Sequence, residues 1–172
     1  MSGAETTKAV KTLGQVAFDW WATNIGARDS AHARALSARL RRAGTVGILS
    51  ESAVQDLARR LNVNADNEDR LVRLLRLVPA LAEVRDHDGT PLAKLLGGTE
   101  PVLSNLRFQR LMRAEGEELV GLMRRAITVA DRKCNVGTLA SDIWHWGDDV
   151  RARWCFHYFG ADAPAVIKET TE

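Results

Sequence analysis

A chain of 172 residues, 45% hydrophobic and 27% charged, holds enough apolar material for one large domain or two small ones and too much for long disorder. A formal net charge of +2 excludes a polycation that would coat nucleic acid by bulk charge alone, so any phosphate binding must come from local patches. No apolar run is long enough to span a bilayer, Met1 to Lys11 lacks the pattern of a signal peptide, and Cys134 and Cys155, outside any CxxC, fit a reducing compartment; the expectation is a cytoplasmic protein.

In chain order the apolar residues recur at helical spacing, and strand alternation is absent. A first helix carries Val10, Leu13, Val16, Ala17, Trp20 and Trp21. Asp29 or Ser30 can cap a second, which runs to about Ala43 with Ala33, Leu36 and Leu40 inward and is ended by Gly44 and Gly47. Ser50 or Ser52 opens a third through Val54, Leu57 and Leu61. Asn64 or Asp66 opens a fourth through Leu71, Leu74, Leu75 and Val78, with a kink or an end expected at Pro79. The turn cluster Asp86 to Pro91 precedes a short apolar helix, Leu92 to Leu96. Gly97-Gly98 and Pro101 then break the chain again.

The expected fold is therefore all-α, two small helix bundles packed together without a sheet, divided into residues 1–98 and 99–172. In the second part, Ser104 can cap a helix whose arginines recur at every third residue: Arg107, Arg110 and Arg113. Leu119, Leu122, Met123, Ala126 and Ile127 mark the next helix, which bears Arg124 and Arg125, with Arg132-Lys133 just after it. Asn135 or Thr138 begins another through Leu139, Ile143 and Trp146. Asp148 or Asp149 caps the last, through Val150, Trp154, His157 and Tyr158, and Ala161 to Glu172 read as a frayed tail.

Residues three apart share a helix face, so Arg107, Arg110 and Arg113 form a basic stripe opposite Phe108, Leu111 and Met112. It is either an ordinary solvated face or a row of guanidiniums set to grip phosphates bidentately. Between Arg28 and Arg42 five arginines accompany a single acid, Asp29. Arg34 and Arg41 lie on one face opposite Leu36 and Leu40, with Arg42 beside them. Arg151 and Arg153 add cations to the last helix. Several such faces together point to phosphate binding.

No nucleotide-binding, protease or hydrolase signature is present, and no cofactor is expected. His145, Cys155 and His157 could meet across two helices, but their spacing matches no common metal site, so no metal is expected either. Adjacent tryptophans differ in direction by ~100°. At least one ring of Trp20-Trp21 is accordingly expected at a subdomain or subunit contact, with base stacking as the alternative.

The order of motifs resembles a known family. Phe18-x-Trp20-Trp21 is followed by Ala38-x-Leu40-Arg41-Arg42-Ala43, Leu92-Ala93-x-Leu95-Leu96-Gly97 and Leu106-Arg107-Phe108-x-Arg110-Leu111-Met112-Arg113-Ala114. Then come Leu119-Val120-x-Leu122-Met123-Arg124-Arg125-Ala126-Ile127, Leu139-x-x-Asp142-Ile143-x-x-Trp146 and Arg151-x-Arg153-Trp154-x-x-x-Tyr158. This is similar to the small subunit of the type I-E CRISPR Cascade complex, the CasB family. The resemblance implies a non-catalytic helical subunit in antiviral defence. Its implied partners are guide RNA, single-stranded or R-loop DNA, other Cascade subunits and a second copy of itself, with no membrane. It implies backbone contacts by Arg41, Arg42, Arg107, Arg110, Arg113, Arg124 and Arg125, and by Arg151 and Arg153. The competing reading is a helical adaptor that binds only protein, with the tryptophans as its hot spots.

Overall fold

The computed structural model describes residues 10–160; the tail expected over Ala161 to Glu172 lies outside the described residues. Ten helices occur among them: α1 (Leu13–Asn24), α2 (Ala31–Arg42), α3 (Thr45–Leu49), α4 (Ser52–Arg60), α5 (Glu68–Glu83), α6 (Leu92–Leu96), α7 (Asn105–Arg113), α8 (Gly116–Val129), α9 (Val136–Trp144) and α10 (Asp148–Tyr158). The all-α expectation holds. The expected absence of strands has one exception, a parallel pair of two-residue strands, β1 (Asp86–His87) and β2 (Lys133–Cys134). It arises where the turns leaving α5 and α8 run side by side, and Asp88 N–H donates to the Cys134 carbonyl at 2.9 Å. So short a pair carries no alternation for a sequence to display.

Side-chain caps set five of the ten helix starts among the described residues. The side chains of Ser30, Asn67, Ser104 and Asn135 each accept a backbone N–H in the first turn of α2, α5, α7 and α9, satisfying donors that the helix itself leaves orphaned. Thr12 and Gln15 form a reciprocal capping box on α1. Asp148 and Asp149 do not cap α10; Gly147 holds that position, and the two acids sit in the first turn, where the helix dipole favours them. Gly47, expected with Gly44 to end α2, lies inside the separate helix α3. Of the kink or end expected at Pro79, the end does not occur: α5 continues past it to Glu83. That continuation carries a carboxylate into the interior.

α1 packs chiefly against α9 and also against α2 and α4. Gly14 permits the close approach: a Cβ there would lie 2.8 Å from the Gly137 carbonyl oxygen. Being covered on several sides, α1 buries both rings of Trp20-Trp21, so neither is left exposed for the subunit contact that is one of the two alternatives expected for them. Trp20 is fully buried and its Nε1 donates to the Ala53 carbonyl at 2.8 Å; Trp21 donates to the Val84 carbonyl at 3.1 Å. Each ring thus finds apolar cover and a polar partner, and neither is available for base stacking.

One cluster of buried residues runs from Ala17 to Tyr158, across the Gly97-Gly98 turn. α6, before that turn, packs on α10, near the far end of the described chain. The Phe108 and Tyr158 rings stack at 3.9 Å between centroids, Gly98 N–H donates to the Tyr158 carbonyl at 2.8 Å, and the Tyr158 hydroxyl donates to the Leu103 carbonyl.

A Cβ at Gly97 would sit 1.9 Å from the Tyr158 carbonyl oxygen, whereas one at Gly89 meets nothing within 4 Å. The backbone oxygen cannot step aside as a flexible side chain would. Gly97→Ala should therefore lower stability by ~1–3 kcal/mol in urea denaturation, and Gly89→Ala should change it by less than ~0.5 kcal/mol.

Candidate nucleic-acid interface

The arginines fall into two groups, and two buried carboxylates divide them. Glu83, at the end of α5, is 6% exposed. A carboxylate at a helix C-terminus opposes the helix dipole and, once buried, requires charged partners. Arg124 on α8 provides the main one: its Nε and a terminal nitrogen lie 3.0 and 2.8 Å from the same Glu83 oxygen. That nitrogen also donates to the Arg41 carbonyl at 2.6 Å, which joins the end of α2 to α5 and α8. Arg132 approaches the other Glu83 oxygen at 3.8 Å. It does so from a turn in which Asp131 and Arg132 both have left-handed φ, 58° and 56°, uncommon for residues with a Cβ.

Asp142 of α9, 5% exposed, is the second. Arg153 donates to one of its oxygens and the Trp154 indole to the other, each at 2.8 Å. Arg151 lies over the Trp146 ring at 5.8 Å from its centroid and reaches Asp148 at 3.3 Å. Arg110 pairs with Glu118 at 3.0 Å across α7 and α8, an exposed contact worth little.

Arg42, Arg107, Arg113 and Arg125 are exposed and have no ion pair among the described residues. Arg107 lines two open grooves. One, of about 530 Å³, runs along α7 past Arg110 and Arg113. The other, of about 480 Å³, passes Arg125 and Arg124 on α8 and Glu83 at the end of α5. Beyond that knot, Arg41 lines a third hollow of about 230 Å³ with Arg28, Arg34 and Arg85. Arg34 donates to the Arg28 carbonyl. Burial first, then repulsion from Arg132, holds the Arg41 pKa below its ordinary value, with Glu83 opposing the shift and Arg85 and Arg42 adding to it. A chain of shared lining residues and hydrogen bonds thus links α7, α8 and α2 into a band of guanidiniums. Arg151 and Arg153, on α10, line none of these three hollows.

Sequence reasoning passed over Arg85 and Glu83. Arg85 follows directly on Glu83-Val84, so only a helix that continues past Pro79 delivers both to this surface. The hollow of about 640 Å³ between α1 and α9 is of another kind, lined by Thr12, Phe18, His87, Thr138 and His145 without any arginine. His87 Nδ1 accepts the Val136 N–H at 3.2 Å there. No group of three or more His, Cys, Asp or Glu that could hold a metal occurs among the described residues. Burial raises the pKa of both thiols, that of Cys134 up to about 12.

Adjacent residues on α8 should behave differently. Arg124→Gln leaves Glu83 without its main partner and should cost about 3 kcal/mol in chemical denaturation. Arg125→Gln removes an exposed, unpaired cation and should stay within ~0.5 kcal/mol.

Among the described residues no helix is long and apolar enough to cross a membrane. No curated protein and no solved structure matches the chain. A family model does: the one described as CRISPR-associated protein Cse2 matches residues 36–159, from within α2 through α10. With most of the sequence inside that match, and the helices it covers carrying the arginine band, the chain belongs to the Cse2 (CasB) family of type I-E Cascade subunits.

Proposed function

We propose that this protein is the non-catalytic small subunit of a type I-E Cascade complex and that it holds nucleic-acid backbone without reading sequence. The observation that carries the proposal is the division of the arginines. Arg42, Arg107, Arg113 and Arg125 are exposed without a carboxylate partner, and the last three line the adjoining grooves on α7 and α8. Guanidinium forks spaced along rigid helices suit phosphate oxygens, and backbone contacts of that kind position a strand without reading its sequence. Guide RNA pairing supplies sequence recognition in such complexes. The subunit then has only to steady the hybrid or the displaced strand.

Contacts with other Cascade subunits, including a second copy, use a different surface in this reading. Phe156 and Phe159 are 41% and 64% exposed, on α10 and directly after it, and line neither arginine groove. Large apolar residues exposed in this way favour protein contact. They take over the adaptor role that the tryptophans, being buried, do not fill. That role adds to strand binding and does not replace it.

The isolated protein should bind thymidine or uridine oligonucleotides weakly and with little sequence preference. Its log affinity should fall with log salt by ~0.7 for each phosphate neutralised. The triple variant R107Q/R113Q/R125Q should keep its fold and lose about 2 from that slope. An oligonucleotide affinity that is independent of salt, or that the triple variant leaves intact, would rule this surface out.

A further inference from the structure

The hollow beside α2 differs from the open grooves. It is small, about 230 Å³, and gathers four arginines: Arg28 from the turn before α2, Arg34 and Arg41 from α2, and Arg85 from the turn after α5. Ser37, Ile25 and Val84 complete its wall, and the two apolar residues are buried. Few acids oppose these arginines. Asp86 takes Arg28 at 2.6 Å. Glu83 attracts Arg41, but its oxygens already face Arg124 and Arg132. Arg34 meets only a carbonyl, and Arg85 has no ion pair among the described residues. Ser37 Oγ donates its proton to the Ala82 carbonyl at 3.1 Å, so it adds no negative charge. Guanidiniums drawn together in a recess with so little compensation repel one another and lack an acceptor.

We infer that this cleft is a discrete phosphate-binding site, closed enough to take one phosphate group at a time. Forked guanidinium donors from three chain segments line one hollow, and such donors suit the oxygens of a tetrahedral oxyanion. The group bound is either a phosphodiester of a nucleic-acid strand or free inorganic phosphate. The strand alternative deepens, and rests on, the backbone-binding role proposed above; the free-phosphate alternative does not.

The test is thermal unfolding of the full chain, titrated with inorganic phosphate against sodium chloride at equal ionic strength. Phosphate should raise the midpoint and chloride should not. R34Q/R85Q changes two cleft arginines outside the Glu83 knot and should weaken phosphate at least about tenfold. R59Q/R73Q, which removes as much charge from α4 and α5, should leave phosphate binding unchanged. Equal effects of phosphate and chloride, or full phosphate binding by R34Q/R85Q, would overturn the site. Thymidine oligonucleotide binding by the same variants separates the sources. Parallel loss in R34Q/R85Q assigns the cleft to a strand's phosphodiester, and loss of phosphate binding alone assigns it to the free anion. If the native protein binds no oligonucleotide, the backbone-binding role fails while the phosphate result still stands.

Discussion

Glu83 occupies a position that a carboxylate should avoid: the C-terminal end of a helix, 6% exposed, where both the dipole and desolvation oppose a negative charge. It is tolerable only because Arg124 meets it with two nitrogens while also donating to the Arg41 carbonyl. One guanidinium thereby fixes the ends of α2 and α5 against the middle of α8. The left-handed turn at Asp131 and Arg132 fits the same need, since it brings Arg132 within 3.8 Å of the carboxylate. Such a pair adds little net stability over an apolar equivalent. It fixes which way the surrounding arginines face.

The consequence is a division of labour among residues that look alike. Arg124 and Arg153 are held by buried carboxylates, and their release would strand a charge in the interior. Arg42, Arg107, Arg113 and Arg125 have no such tie. Their helices are anchored by the opposite faces, through Leu36 and Leu40 on α2, Phe108 and Leu111 on α7, and Met123 and Ile127 on α8. Apolar packing holds the elements, buried ion pairs orient them, and the remaining cations are left facing water. Arg41 stands between the groups: its carbonyl belongs to the structural knot and its side chain to the cleft.

Most of this fold was legible in the sequence because it is local. Helical periodicity gave the apolar faces, and Ser30, Ser104 and Asn135 marked helix starts through side-chain bonds that span three residues. What was not legible depends on distant partners. The Glu83–Arg124 bond joins residues 41 apart in sequence, and nothing near either residue announces the other. Arg124 and Arg125 are indistinguishable as letters; their helix faces separate them, and only the position of α5 makes one of them structural. Trp20-Trp21 misled for a related reason. Adjacent rings share one interior only when the helix bearing them is surrounded, and α1 is surrounded because Gly14 and Gly137 let α9 come close.

In the proposed division, arginines free of carboxylates bind strands while those tied to buried carboxylates build the fold. Arginine-selective dicarbonyl modification, read by peptide mass spectrometry with and without a bound thymidine oligonucleotide, tests it most directly. Arg42, Arg107, Arg113 and Arg125 should react readily in the free protein and become protected by the strand, while Arg124 and Arg153 should react slowly in both states. Strand protection of Arg124 and Arg153, with Arg107, Arg113 and Arg125 equally reactive with and without the strand, would contradict it.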